Sequence, residues 1–174
     1  MSAHLLACLA VLAWAATASP PVSGGMLPDV ESKDVSGAPR RLSDLVSGKE
    51  PVLVVAITER GAAGRMRAWF DVADTRAPLV RRVSIVSIGK PFFVTDDLAR
   101  SKARQQVPPA HWHATLFDSD HRMARALGLG EGDEAWAFAV DDGGKVLAFH
   151  RGSPFEPSAE EVWRALQPPG AAGE

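Results

Sequence analysis

Cysteine is almost absent from this chain: the single one, Cys8, lies inside the apolar stretch Leu5 to Ala16. If that stretch is removed, no thiol remains. A disulfide, a thiolate metal site and a cysteine nucleophile are then all excluded, and the fold must be held by its core. Excess positive charge is also absent. A net charge of −2 argues against nucleic acid, or an anionic membrane surface, as the main partner. No apolar run reaches the roughly 20 residues a comfortable membrane span needs. The motifs of common hydrolases are missing: there is no Gly-x-Ser-x-Gly elbow, no His-Glu-x-x-His and no phosphate-cradling glycine loop.

What is present begins with an export signal. After Leu5 to Ala16, the triplet Ala16-Thr17-Ala18 has the small-x-small form of a cleavage site, although the region before it contains no Lys or Arg. Residues 1–18 are expected to be a cleaved signal peptide, with an uncleaved N-terminal anchor as the alternative, and the protein is expected to be periplasmic or secreted. Residues 19–27 carry Pro20, Pro21, Gly24 and Gly25 and read as a linker. Residues 28–167 are expected to form one domain, and 168–174 a disordered tail.

The domain is organised around Pro51 to Arg65. Val52 to Ile57 is an unbroken apolar run of strand length, the pattern of a strand buried on both faces. A polar loop, Thr58 to Gly61, leads into a helix of about 62–77. Arg81 to Gly89 alternates as a second strand, parallel to the first because a helix of crossover length joins them. Thr95 caps a helix from Asp96 to about Gln106. His113 to Phe117 is a third strand, and Asp118 or Asp120 caps a short helix that Gly128 ends. Ala135 to Val140 and Val146 to His150 flank the turn Asp141-Asp142-Gly143-Gly144 as a hairpin. Ser158 and Glu161 have capping-box spacing at the start of the last helix. Upstream, Met26 to Val35 is weakly extended, and Arg40 to Val46 reads as a short helical turn with Leu42 and Leu45 inward. The expected architecture is α/β: a mixed sheet between helices, closed by a β-hairpin and a helix.

These segments resemble the thioredoxin-like fold of the redoxin and peroxiredoxin group. LFDSDHRMARALGL resembles that group's strand, acid and short helix, AFAVDDGGKVLAFHRG its terminal hairpin, and VLVVAITERGAAGR its core strand and active-site loop. The likeness spans roughly residues 28–167. Within the group the chain is most similar to small periplasmic YtfJ-type proteins, which share an export signal, a cysteine-free loop and an acidic stretch like Glu131 to Glu134. The resemblance implies a three-layer α/β/α sandwich. It does not bring redox chemistry with it. Where the group has Cys-x-x-Cys-Arg, this chain has Gly61-Ala62-Ala63-Gly64-Arg65. Ala135 stands where the group has a cis-proline, so a trans bond and a reshaped loop are expected there.

Three groups of residues are candidates for function. Thr58, Glu59, Arg60, Gly61, Gly64 and Arg65, opposed by Ala135 and Trp136, could hold an anion or peptide carboxylate with the first helical amides. The plainer reading is a solvated loop whose acid and base pair locally. His111 and His113, on a segment read as extended, would point to one face and could bind metal with Asp118, Asp120 or His121. They lack an evident third ligand, and capping duty suits the aspartates. Glu131, Asp133 and Glu134 could recruit a cation or basic partner, or form a solvated loop. The function expected is that of an exported, redox-inactive binding protein for a peptide, protein partner or small ligand at the former active-site face. The alternative is a cysteine-independent enzyme or metal protein using His, Asp and Arg. No cofactor is expected.

Overall fold

The computed structural model describes residues 19–167. The expected signal segment and the tail 168–174 lie outside the described residues. In chain order the elements are β1 (Glu31–Asp34), β2 (Pro39–Arg41), α1 (Leu42–Val46), β3 (Val52–Ile57), α2 (Ala63–Arg76), β4 (Arg81–Val86), α3 (Asp96–Arg104), β5 (Thr115–Phe117), α4 (Arg122–Ala126), β6 (Ala135–Val140), β7 (Val146–Arg151) and α5 (Glu160–Ala165). The strands form one seven-stranded sheet in the order β2-β1-β5-β4-β3-β6-β7. β3, β4 and β5 are parallel, while β6 pairs antiparallel with both β3 and β7.

The central position of β3 follows from its composition. Each of its side chains is buried, so both faces must be covered. Val52, Val54 and Ala56 join a core that includes Leu42 of α1, Met123 of α4 and Phe138. Leu53, Val55 and Ile57 join the opposite core with Trp69 of α2 and Trp163 of α5. β6 shows why both tryptophans fit. Ala135, Ala137 and Ala139 make a low row on that face. It leaves depth for two indole rings whose centroids lie 4.9 Å apart. Trp69 Nε1 donates to the Gly152 carbonyl at 3.0 Å, which satisfies a buried polar group.

The hairpin turn forms as its sequence dictates. Asp141 Oδ1 accepts the amides of Gly143 at 3.0 Å and Lys145 at 2.9 Å, and Gly144 adopts φ 84°. Thr95 Oγ1 accepts the Leu98 amide at 3.3 Å at the start of α3. Both aspartates reach α4: Asp118 Oδ2 accepts the Ala124 amide at 3.1 Å, and Asp120 Oδ1 accepts the Arg122 amide at 3.4 Å.

Several local expectations are corrected. Arg40 and Arg41 belong to β2, so the helical turn starts at Leu42; Leu42 is buried and Leu45 packs half-buried against the same core, as expected, with Val46 buried beside them. His111 and His113 are not on an extended segment. They sit in a 3₁₀ turn, Pro109–Ala114, and β5 starts only at Thr115. The adjacent prolines fix φ and favour that turn over a strand. The Ser158–Glu161 capping box does not form. Pro157 instead opens a 3₁₀ turn that runs into α5 without a side-chain cap. Residues 24–27, read as linker, are bonded to the hairpin: the Gly24 amide donates to the Val146 carbonyl at 2.7 Å and the Leu27 amide to the Gly144 carbonyl at 2.8 Å.

Candidate functional site

The carboxyl ends of β3 and β4 release the chain into two loops, 58–62 and 87–95, beside the start of α4. Ligand crevices in α/β folds form outside such strand ends. Here they frame an open depression of about 420 Å³ lined by Thr58, Glu59, Arg60, Gly61, Ile88, Gly89, His121 and Glu131.

Thr58 fixes the floor. It is buried, and its Oγ1 donates to the Gly130 carbonyl at 3.0 Å, which ties the loop after β3 to the acidic loop before β6. Glu59, Arg60 and Gly61 are exposed at the rim. Among the described residues, Glu59, Arg60 and Glu131 make no ion pair with one another or with a neighbour.

Outside the depression, Arg65 in the first turn of α2 joins the helix to Asp133 in the acidic loop. The Arg65 guanidinium donates to the Asp133 carbonyl. The Asp133 carboxylate lies against Gly61: a Cβ built there would come within 2.7 Å of the Asp133 Cγ. At Gly64 a Cβ would meet nothing within 4 Å. The two glycines that stand at the resemblance's sulfur positions are therefore unlike. One is covered by an acid, and the other faces open space.

Ala135 and Trp136 are inside the sheet. Ala135 pairs with Ile57 and Trp136 with Ala56. The bond at Ala135 is trans, as are all peptide bonds among the described residues. Trp136 is only 5% exposed. Arg151 covers its ring, Cζ 4.8 Å from the centroid, and is held there by Glu134 at 2.6 Å. The depression thus gathers Thr58, Glu59, Arg60 and Gly61 and leaves out Gly64, Arg65, Ala135 and Trp136. His111 and His113 are exposed on their turn, and no three His, Cys, Asp or Glu side chains among the described residues form a metal-holding group.

The side chain that sequence reasoning placed elsewhere is His121. It is the only non-glycine residue among those described with positive φ, at 57°. Its Nδ1 lies 3.1 Å from the Oγ of Ser87, a fully buried residue whose hydroxyl donates to Asp118 Oδ2 at 2.7 Å. Burial pushes the Asp118 carboxyl above the usual carboxylate range, against the hydrogen bonds from Ser87 and Ala124, and the neighbouring Asp120 adds to the rise. Asp120 is itself raised by partial burial, but its bond with Asp118 and the amide and charge of Arg122 hold it below the usual range. Ser87 was hidden in the sequence because it reads as one more polar position in an alternating strand.

No family model matches the sequence, and no curated protein matches it. Solved structures share its fold. The chain is 20% identical to a putative thiol:disulfide interchange protein DsbE from Chlorobium tepidum, with TM-score 0.59 over 84% of this chain and 99% of that one. It is 24% identical to peroxidoxin BcpB from Mycobacterium tuberculosis, with TM-score 0.52 over 84% and 96%. It is 15% identical to the exposed lipoprotein thioredoxin Etrx1 of Streptococcus pneumoniae, with TM-score 0.52 over 80% and 100%. The fold is thioredoxin-like.

Proposed function

We propose that this is an exported protein that uses a thioredoxin-like fold to bind a peptide, protein partner or small ligand at the carboxyl ends of β3 and β4, without thiol chemistry. One observation carries the reading: the depression between Thr58–Gly61, Ile88–Gly89, His121 and Glu131, with charged side chains at its rim that have no ion-pair partner. Gly61 and Gly64 stand where the resemblance puts the two sulfur atoms, and Cys8 lies in the segment that export would remove. The N-terminal pattern supports export, as does a structural neighbour described as an exposed lipoprotein. The YtfJ-type likeness supports the same compartment.

The purified protein is expected to be blank in disulfide-reduction and thiol-peroxidase assays. It is expected to retain a partner or ligand from an envelope extract that a His121→Ala/Glu131→Gln double variant does not retain. Turnover independent of cysteine would replace this reading with the enzymatic one. The Asp118–Ser87–His121 row is the observation that favours that alternative. Ser87 is fully buried, however, so its hydroxyl is a link in the row and not an attacking group.

A further inference from the structure

The hydrogen bonds around His121 fix which of its nitrogens is free. Asp118 Oδ2 accepts the Ala124 amide as well as the Ser87 hydroxyl. The Ser87 proton therefore points to Asp118, and Ser87 Oγ offers His121 a lone pair. Nδ1 must donate, and in the neutral ring Nε2 is then a bare acceptor. Nε2 lies over Gly89, where a Cβ would come within 2.7 Å, so the missing side chain at 89 leaves this nitrogen open to the depression. The same depression is lined by two exposed acids, Glu59 and Glu131, and one exposed cation, Arg60. The lining is thus rich in acceptors and carries an excess of negative charge. Its carboxylates and imidazole do not converge as metal ligands do. From this geometry we infer that the depression binds an alkylammonium group, its N–H donating to His121 Nε2 and its charge set against Glu59 and Glu131, with Ser87 as the positioning residue that holds the ring. This rests on the binding-face reading above and names the ligand chemistry of that face.

The test is titration of the full chain with n-butylammonium, and with a doubly blocked lysine tripeptide and its Nζ-acetylated form. Amide shifts and the ring nitrogen shifts of His121 are followed by NMR. The free protein is expected to show the Nδ1–H tautomer, and amine binding to move the Nε2 signal. His121→Asn, which tolerates positive φ, and Glu131→Gln are each expected to weaken butylammonium binding at least about tenfold and about threefold respectively. Arg60→Ala is expected to tighten it about twofold by removing the opposing charge. Ser87→Ala is expected to mix the two tautomers in the nitrogen spectrum while the fold is retained. Butylammonium binding without the tripeptide identifies a small amine as the source, and tripeptide binding that acetylation abolishes identifies a lysine side chain. Equal binding of the acetylated tripeptide at this face, or an Nε2–H tautomer in the free protein, overturns the amine inference and leaves the binding face standing. No shift at this face with any of the three probes overturns the amine inference, whereas the binding-face reading falls only if the envelope-extract test also retains nothing at this face.

Discussion

The carboxylate of Asp133 occupies the space that a side chain at position 61 would enter, while the same space at position 64 is empty. The contrast separates two glycines that look equivalent in sequence. Gly61→Ala is expected to displace the Asp133 carboxylate and to cost about 1 kcal/mol, since the obstruction is the end of a flexible side chain. That cost should vanish in an Asp133→Ala background, which is the signature of direct contact. Gly64→Ala, in the first turn of α2, is expected to stabilise by about 0.5–1 kcal/mol through helix propensity. Urea denaturation of the three variants and the double variant checks the signs.

His121 should separate stability from binding. A left-handed backbone costs a non-glycine residue roughly 1–2 kcal/mol. His121→Gly is therefore expected to be about 1 kcal/mol more stable than His121→Ala, although neither retains the ring. Thermal melts of the pair measure this directly. Equal melting temperatures would mean that the backbone relaxes at 121.

Two buried carboxylates should give opposite pH signatures. Asp34 is raised by burial, but bonds from Ser36, Arg40 and Ala38 outweigh that and hold it below the usual range. Its stabilising contribution is present above the unfolded value of about 3.9 and lost as pH falls through the folded value. Asp118 is shifted upward. Its contribution is full below the unfolded value and lost as pH rises through the folded one. Asp118→Asn, which keeps an acceptor for Ser87 and Ala124, is expected to be more stable than the parent at neutral pH, with the gap closing under acid. Asp34→Asn should be less stable at neutral pH, and its deficit should shrink under acid. Denaturation midpoints across the carboxylate range test both signs.

Trp136 and Arg60 differ in what they support. Trp136→Ala removes a buried ring from the core and is expected to cost about 3–5 kcal/mol. Arg60→Ala alters an exposed side chain without an ion-pair partner and should stay within about 0.5 kcal/mol of the parent. Denaturation shows which variant is fit for binding studies.

The strand β3, the crossover to β4 and the closing hairpin were legible because hydrophobic pattern and turn chemistry point the same way there. Val52 to Ile57 has no polar residue to expose, and Asp141 to Gly144 supplies an acid that accepts the turn amides and a glycine that takes positive φ. The loop pair at the site was legible in part. Thr58 to Gly61 was found by its place after the strand. His121 was not, because its role depends on Ser87 and Asp118, which are brought together by strand pairing across β4 and β5. Sequence sets Trp136 opposite the Thr58–Arg65 loop, but it shows neither which face of β6 the ring takes nor that Arg151 covers it. His111 and His113 have strand spacing in sequence, but the prolines before them turn the chain into a 3₁₀ segment.

The central claim is that ligands meet this protein at the carboxyl ends of β3 and β4. The most direct measurement is a residue-resolved map of amide shifts in the full chain on saturation with whichever probe or retained partner binds. The account predicts that the largest changes fall on residues 59–61, 88–89, 121 and 131. Changes centred instead on the second depression, lined by Met26, Asp29, Ser43 and Gly143, with residues 59–61 unmoved, would contradict it.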